Sequence, residues 1–189
     1  SQTVEGEPLH TDRLTDVGNA ERFARHHRDA ARYCYPIKAW FVCTESSLWE
    51  SCPGNLIAQL AKASIVSLYD EVTRETNDER RAKLAGHAVK SESAQRLQAM
   101  IDLARSEPGV AISPTAFDAD PWLFSVLNGV LDLRTGAFRE RQRCDLITKQ
   151  SPVVFDASAS CPTWLRFLAR IFQDDRHLIG YVQQIAGYC

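Results

Sequence analysis

Three aspartates in this 189-residue sequence are spaced so that their carboxylates could act together at a catalytic metal site. Asp118 and Asp120 would lie on one side of an extended segment, and Asp132 could approach them across a hairpin. Clustered carboxylates can hold Mg²⁺ for phosphoryl chemistry, so the trio could serve a metal-dependent nuclease. Asp-x-Asp-Pro is also a common turn and capping sequence. The sequence favours this structural role, and we predict no metal site.

Cysteines form a second candidate metal site. None of the six belongs to a CxxC pair, and the first three are spaced nine residues apart, which matches no known zinc pattern. The cysteines are Cys34, Cys43, Cys52, Cys144, Cys161 and Cys189. We favour isolated reduced thiols, some of them buried. The alternative is a site of the first three cysteines with His26 or His27, two histidines that we otherwise place on a solvated helix face.

Positive charge is concentrated in two segments, although the net charge of −2 argues mildly against a dedicated nucleic-acid binder. Residues 80–96 carry five basic side chains against one acidic one, and residues 134–149 carry five against two. These bases are the candidates for contacts with nucleic-acid phosphates. The candidate set is Arg80, Arg81, Lys83, Lys90, Arg96, Arg139, Arg141 and Arg143.

Lys90 and Ser91 mark a predicted corner between two helices. Ser91 is a good N-cap for the second helix, and Lys90 would lie beside the exposed amides of its first turn. A phosphate could bind there, although a capping serine at a plain corner explains the same residues. Trp40 and Trp49 also have two interpretations, since a tryptophan pair on a hairpin can pack across strands or stack on bases.

No motif for a catalytic nucleophile or a nucleotide-binding loop is present. The sequence contains no GxxxxGK[ST], no GxSxG and no HExxH, and its five histidines are scattered. We therefore predict no catalytic residues and no cofactor in this chain. The chain by itself is not expected to be an enzyme.

Turn and periodicity signals predict an α+β fold, mainly helical, with small antiparallel hairpins and a meander. Asn128-Gly129 predicts a two-residue type I′ turn, and Thr135-Gly136 predicts a second turn. The meander is expected within residues 111–155, with a last strand over 146–155 and Pro152 at its edge. A hairpin is expected at about residues 35–50.

Helical periodicity organises the remainder of the chain. We predict helices over 14–34, 54–75 and 78–89, and a further helix that begins at Ser91 and is stopped by Pro108-Gly109. Two amphipathic helices follow, one with Pro162 in its first turn and one capped by Asp174. The predicted divisions are a linker (1–13), a helical part with one hairpin (14–110), the meander (111–155) and the two amphipathic helices (156–189).

Several segments of the sequence resemble the region before the ATPase in phage and plasmid primase–helicases, and they occur in the same order along the chain. These proteins are superfamily 3 helicases related to the poxvirus primase–helicase. The strongest match is DADPWLFSVLNGVLDLRTGAFRERQRCDLITK at 118–149. The others are HAVKSES at 87–93, SEPGV at 106–110, CPTWLRFLARIF at 161–172 and LIGYVQQIAGYC at 178–189. The family's W-x-x-W-D-G-x-x-W hairpin pattern is kept only as Trp40 and Trp49.

The resemblance implies a non-catalytic region that links a primase half to a ring-forming ATPase, helps subunits assemble as a collar and helps to guide DNA. ATP and Mg²⁺ are expected only for a missing ATPase domain beyond the amphipathic helices. Expected partners are that domain, an upstream primase domain, further copies of the parent protein and DNA. A cytoplasmic location is expected, because the sequence shows no signal peptide and no run of about 18 apolar residues. The resemblance to phage and plasmid proteins implies a bacterial host. A stand-alone nucleic-acid-binding module is the alternative function.

Overall fold

The computed structural model describes residues 13–52 and 55–188. Apart from Arg13, the predicted linker lies outside the described residues. The chain divides into two compact units, residues 1–153 and 154–189. Both helices and small sheets are present, so the predicted α+β class is confirmed.

Four helices form the helical layer of the first unit: α1 (Asp16–His27), α2 (Asn55–Arg74), α3 (Asp78–Ser91) and α4 (Ala94–Ala104). Thr15 caps α1, because its hydroxyl accepts a hydrogen bond from the Gly18 amide (3.2 Å). Asn77 caps α3 in the same way through the Arg80 amide (2.9 Å). The apolar stripe of α2 faces the core as its periodicity predicts, with Ile57, Ala61, Ile65 and Leu68 all buried.

The first sheet lies against this helical layer. Its strands are β1 (Ala31–Cys34), β2 (Ala39–Cys43), β3 (Trp49–Ser51) and β4 (Ala111–Ile112), in the order β3-β2-β1-β4. β1, β2 and β3 pair antiparallel, and β4 pairs parallel to β1. Ala31 of β1 and Val42 of β2 lie opposite each other and pack into the same core as Phe23 of α1.

Two predicted boundaries are wrong in this region. The first helix ends at His27 instead of Cys34, because residues 31–34 pair with β2 and form a strand. Local helical periodicity cannot reveal that long-range pairing. Residues 111–112 were assigned to the meander, but they extend the first sheet as β4. The hairpin expected near 35–50 is present as β2 and β3, joined to β1 by the turn at 35–38.

The second sheet is the predicted three-stranded meander, with β5 (Leu123–Val126), β6 (Gly129–Asp132) and β7 (Ala137–Arg139) in sequential order. Its first turn lies one residue earlier than predicted. Val126 pairs with Gly129, so the two-residue turn is Leu127-Asn128, and Asn128 does not have the positive φ that a type I′ turn needs. Gly129 is instead the first residue of β6, and glycine is needed there because a Cβ would lie 2.5 Å from the Arg139 carbonyl oxygen.

Residues 146–155 do not form the predicted strand. Leu146 has a left-handed backbone (φ 51°), and Pro152 has no amide proton to donate, so a continuous ladder is interrupted. The segment instead makes single backbone hydrogen bonds. Trp49 N donates to Ile147 O (2.8 Å), and Ser151 N donates to Ser125 O (2.9 Å). These bonds tie the segment to both sheets of the first unit.

The second unit contains two helices, α5 (Pro162–Ile171) and α6 (Arg176–Tyr188). Pro162 occupies the first turn of α5 as expected. Asp174 is not the cap of α6, since Asp175 Oδ1 accepts the amide hydrogen bonds of His177 (3.0 Å) and Leu178 (3.1 Å). Within the described ranges, no helix is long and apolar enough to cross a membrane.

Candidate functional site

The basic side chains predicted on α3 are paired with nearby carboxylates. Arg80 Nε lies 3.0 Å from Glu75, and Lys83 Nζ lies 2.6 Å from Glu79. Arg81 pairs with Asp78, one turn earlier on the same helix. The number of basic residues in the sequence therefore overestimates the positive charge available to a phosphate. The acidic residues just before residue 80 form ion pairs with these bases.

Ser91 is not the N-cap of the next helix. It is the last residue of α3 and is fully buried, whereas Ser93 caps α4 by accepting from the Arg96 amide (3.4 Å). The Ser91 hydroxyl is therefore not exposed to a phosphate. Lys90 is exposed, and none of the described residues forms an ion pair with it. Arg96 lies 3.8 Å from Asp16 at the start of α1.

A buried polar cluster joins α1 to α3. Asn19 donates from Nδ2 to Ser91 Oγ (3.0 Å), and its Oδ1 lies 2.9 Å from His87 Nε2. Because a carbonyl oxygen can only accept, this second contact requires a proton on His87 Nε2. Arg22 Nη1 also approaches Asn19 Oδ1 (3.5 Å). Three of the four side chains are completely buried, and His87 is nearly so.

The surroundings of this cluster favour the neutral form of His87. Burial lowers the pKa of His87 below its usual value, and the positive charges of Arg96 and Arg22 lower it further. Arg22 is itself compensated, because its Nε lies 3.1 Å from Glu71 of α2. The cluster thus connects three helices through hydrogen bonds and one partly buried ion pair. His87 and Ser91 belong to HAVKSES, so that motif serves the packing of the helical layer.

His27 is not on a solvated helix face. Its Nε2 lies 2.9 Å from Ser64 Oγ on α2, and its ring packs against Phe23 with centroids 4.9 Å apart. Burial, followed by the adjacent charge of His26, lowers the pKa of His27. The Ser64 hydroxyl donates to the Leu60 carbonyl oxygen (3.1 Å), as an ordinary helical serine does. This pair therefore links two helices.

The three arginines of the second basic segment that are predicted to contact phosphates have different environments. Arg139 forms a two-pronged ion pair with Asp145, with both nitrogen–oxygen distances at 2.8 Å. Arg141 is buried and donates to Ser125 Oγ (3.1 Å) and to the carbonyl oxygens of Ser46 and Val126 (2.7 Å each). It is therefore a structural clamp that is not available to a phosphate. Arg143 is exposed, and no described carboxylate forms an ion pair with it.

The three carboxylates of the aspartate trio accept hydrogen bonds within the fold. Asp118 accepts from the amide and the hydroxyl of Thr148. Asp120 binds Arg134 (2.5 Å) and the Trp122 amide (3.0 Å), which together hold the pKa of Asp120 below its usual value. Asp132 accepts from the Arg134 amide (2.8 Å). Within the described ranges, no three His, Cys, Asp or Glu side chains are arranged to hold a metal ion.

Trp40, Trp49 and the first three cysteines also have structural roles. Trp40 packs edge-on against Tyr33 (5.2 Å between centroids) on the helical side of the first sheet. Trp49 is buried, and its Nε1 donates to the Arg143 carbonyl oxygen (2.9 Å). Trp49 therefore has no exposed ring for base stacking, and Trp40 is only partly exposed. Cys34 is a buried free thiol in β1, and burial raises the pKa of Cys43 and of Cys52.

An exposed apolar surface lies on the outer face of the meander. The strand register places Phe124, Leu131 and Phe138 side by side on the three strands. A hydrogen bond from Leu133 N to Trp122 O continues the pairing of β5 with β6, and it adds Trp122 and Leu133 to this face. We call these five side chains the outer meander face. None of these side chains is among the predicted site residues, which are basic side chains and Ser91. The alternation of large apolar residues within 122–138 was the signal that could have revealed the face.

The class of protein follows from these observations: an α+β module whose described residues show structural polar clusters, no metal cluster and an exposed apolar sheet face. Residues 20–173 match the family described as D5 N terminal like. The chain therefore belongs to this family, the N-terminal domain of D5-like phage and plasmid primase-helicases. No curated protein matches the chain significantly.

Proposed function

We propose that this chain is a non-catalytic region of a phage- or plasmid-type DNA primase–helicase and precedes its superfamily 3 ATPase. Its work is to link domains and to help subunits assemble into a ring or collar during DNA replication. Guidance of DNA is a secondary role. ATP and Mg²⁺ are bound by an ATPase domain outside this chain, and a primase domain lies upstream.

The single observation that carries this proposal is the exposed apolar surface of the second unit. α5 presents Phe167 (52% exposed) and Ile171 (53% exposed), and α6 presents Tyr181 (60% exposed). Large contiguous apolar surfaces of this kind mark interaction sites in soluble proteins. Trp164 and Phe167 are stacked with their centroids 5.8 Å apart, so they present a continuous aromatic surface on α5. A subunit or a neighbouring domain would cover these side chains.

The first unit supports the proposal in a different way. The buried cluster around Asn19 and the Arg141 clamp hold helices, loops and both sheets together through hydrogen bonds of defined geometry. Such networks rigidify a fold when every member is satisfied. A rigid module of this type suits a linking element, because it transmits position between the domains attached to it. The Mg²⁺-dependent nuclease is not proposed, since each carboxylate of the aspartate trio accepts hydrogen bonds from other residues of the fold.

The proposal is tested in the natural full-length protein. Phe167→Asp combined with Ile171→Asp places two charges on the apolar surface of α5, and we expect reduced assembly and reduced DNA-stimulated ATP hydrolysis. Gln184→Asp on α6 is the matched control, because it adds a charge at an exposed polar position. ATP hydrolysis that is unchanged by the paired substitutions would count against the proposal. So would a natural reading frame that encodes no P-loop after residue 189.

A stand-alone nucleic-acid-binding module is the second candidate. The observation in its favour is that Lys90 and Arg143 remain exposed and without ion pairs among the described residues. Two such cations would neutralise few phosphates, so a strong dependence of affinity on salt is not expected from them. For this reason DNA contact is placed second to linkage and assembly.

A further inference from the structure

We draw no further inference here: the strongest candidate, the outer meander face formed by β5, β6 and β7, carries none because nothing in the structure shows what covers this apolar surface, and the cleft beside it is lined by Asp118, Asp120 and Asp145 as well as by Lys149.

Discussion

Asn19→Ala tests the buried cluster that joins α1 to α3. The substitution removes the acceptor of His87 Nε2 and the donor to Ser91 Oγ, both at positions shielded from water. Each buried polar group left without a partner costs about 1–3 kcal/mol. Because Ser91 Oγ also lies 3.3 Å from His87 Nε2, these two groups partly satisfy each other, and we expect the free energy of unfolding to fall by about 2–3 kcal/mol. That loss is a large part of the total stability of a domain, about 5–15 kcal/mol.

Asn77→Ala is the matched control for that substitution. Asn77 is exposed and caps α3 through a single hydrogen bond, so its loss should cost only about 1 kcal/mol. Urea unfolding followed by circular dichroism measures both variants. A combined Asn19→Ala and His87→Leu variant should lose less than the sum of the two single effects, because the groups share one network. If Asn19→Ala costs no more than Asn77→Ala, the cluster does not hold the helices as described.

Three further outcomes follow from the same structure. The folded-state pKa of His87 is lowered below its unfolded value of 6.5, so its stabilising contribution is present above pH 6.5 and is lost as the pH falls toward the folded pKa. The urea midpoint of unfolding should therefore be lower at pH 5.5 than at pH 7.5. His87→Gln should reduce that pH dependence. Gly129→Ala should destabilise by about 1–3 kcal/mol through its clash with β7, whereas Gly86→Ala, in open space within α3, should stabilise by up to about 1 kcal/mol in the same urea assay. Arg141→Ala should lower the thermal midpoint markedly because it strands buried acceptors, whereas Arg143→Ala at the exposed neighbour should leave it nearly unchanged.

The parts of the fold that could be predicted are those whose signals are local. The stripe of Ile57, Ala61, Ile65 and Leu68 repeats with the period of a helix, and a helix forms there. Pro162 marks the first turn of α5. The alternation and turns of 122–139 predict a meander, which is present. These features depend on neighbours within a few residues and not on the remainder of the chain.

The parts that could not be predicted depend on distant partners. Residues 31–34 have a helical pattern locally but pair with β2, and β4 joins them from about 80 residues away in the chain. Ser91 fits the chemistry of a cap, yet Asn19 and His87 bury it at the end of α3 instead. Arg141 cannot be distinguished from Arg143 by sequence, because burial alone makes one a clamp and leaves the other exposed.

The candidate site was missed for a related reason. Counting bases identified Arg80, Arg81 and Lys83, but the carboxylates that neutralise them precede residue 80 and lay outside the counted segment. The outer meander face carries little net charge, so a charge count could not find it. Its side chains become a surface only when the register of three strands places them together.

Native mass spectrometry of the natural full-length protein tests the central claim most directly, namely that the apolar helices of the second unit serve assembly. We predict an oligomer for the unsubstituted protein and for Gln184→Asp. The variant with Phe167→Asp and Ile171→Asp should shift to monomer or to smaller assemblies. An unsubstituted protein that is monomeric, or a doubly substituted variant with unchanged mass, would contradict the claim.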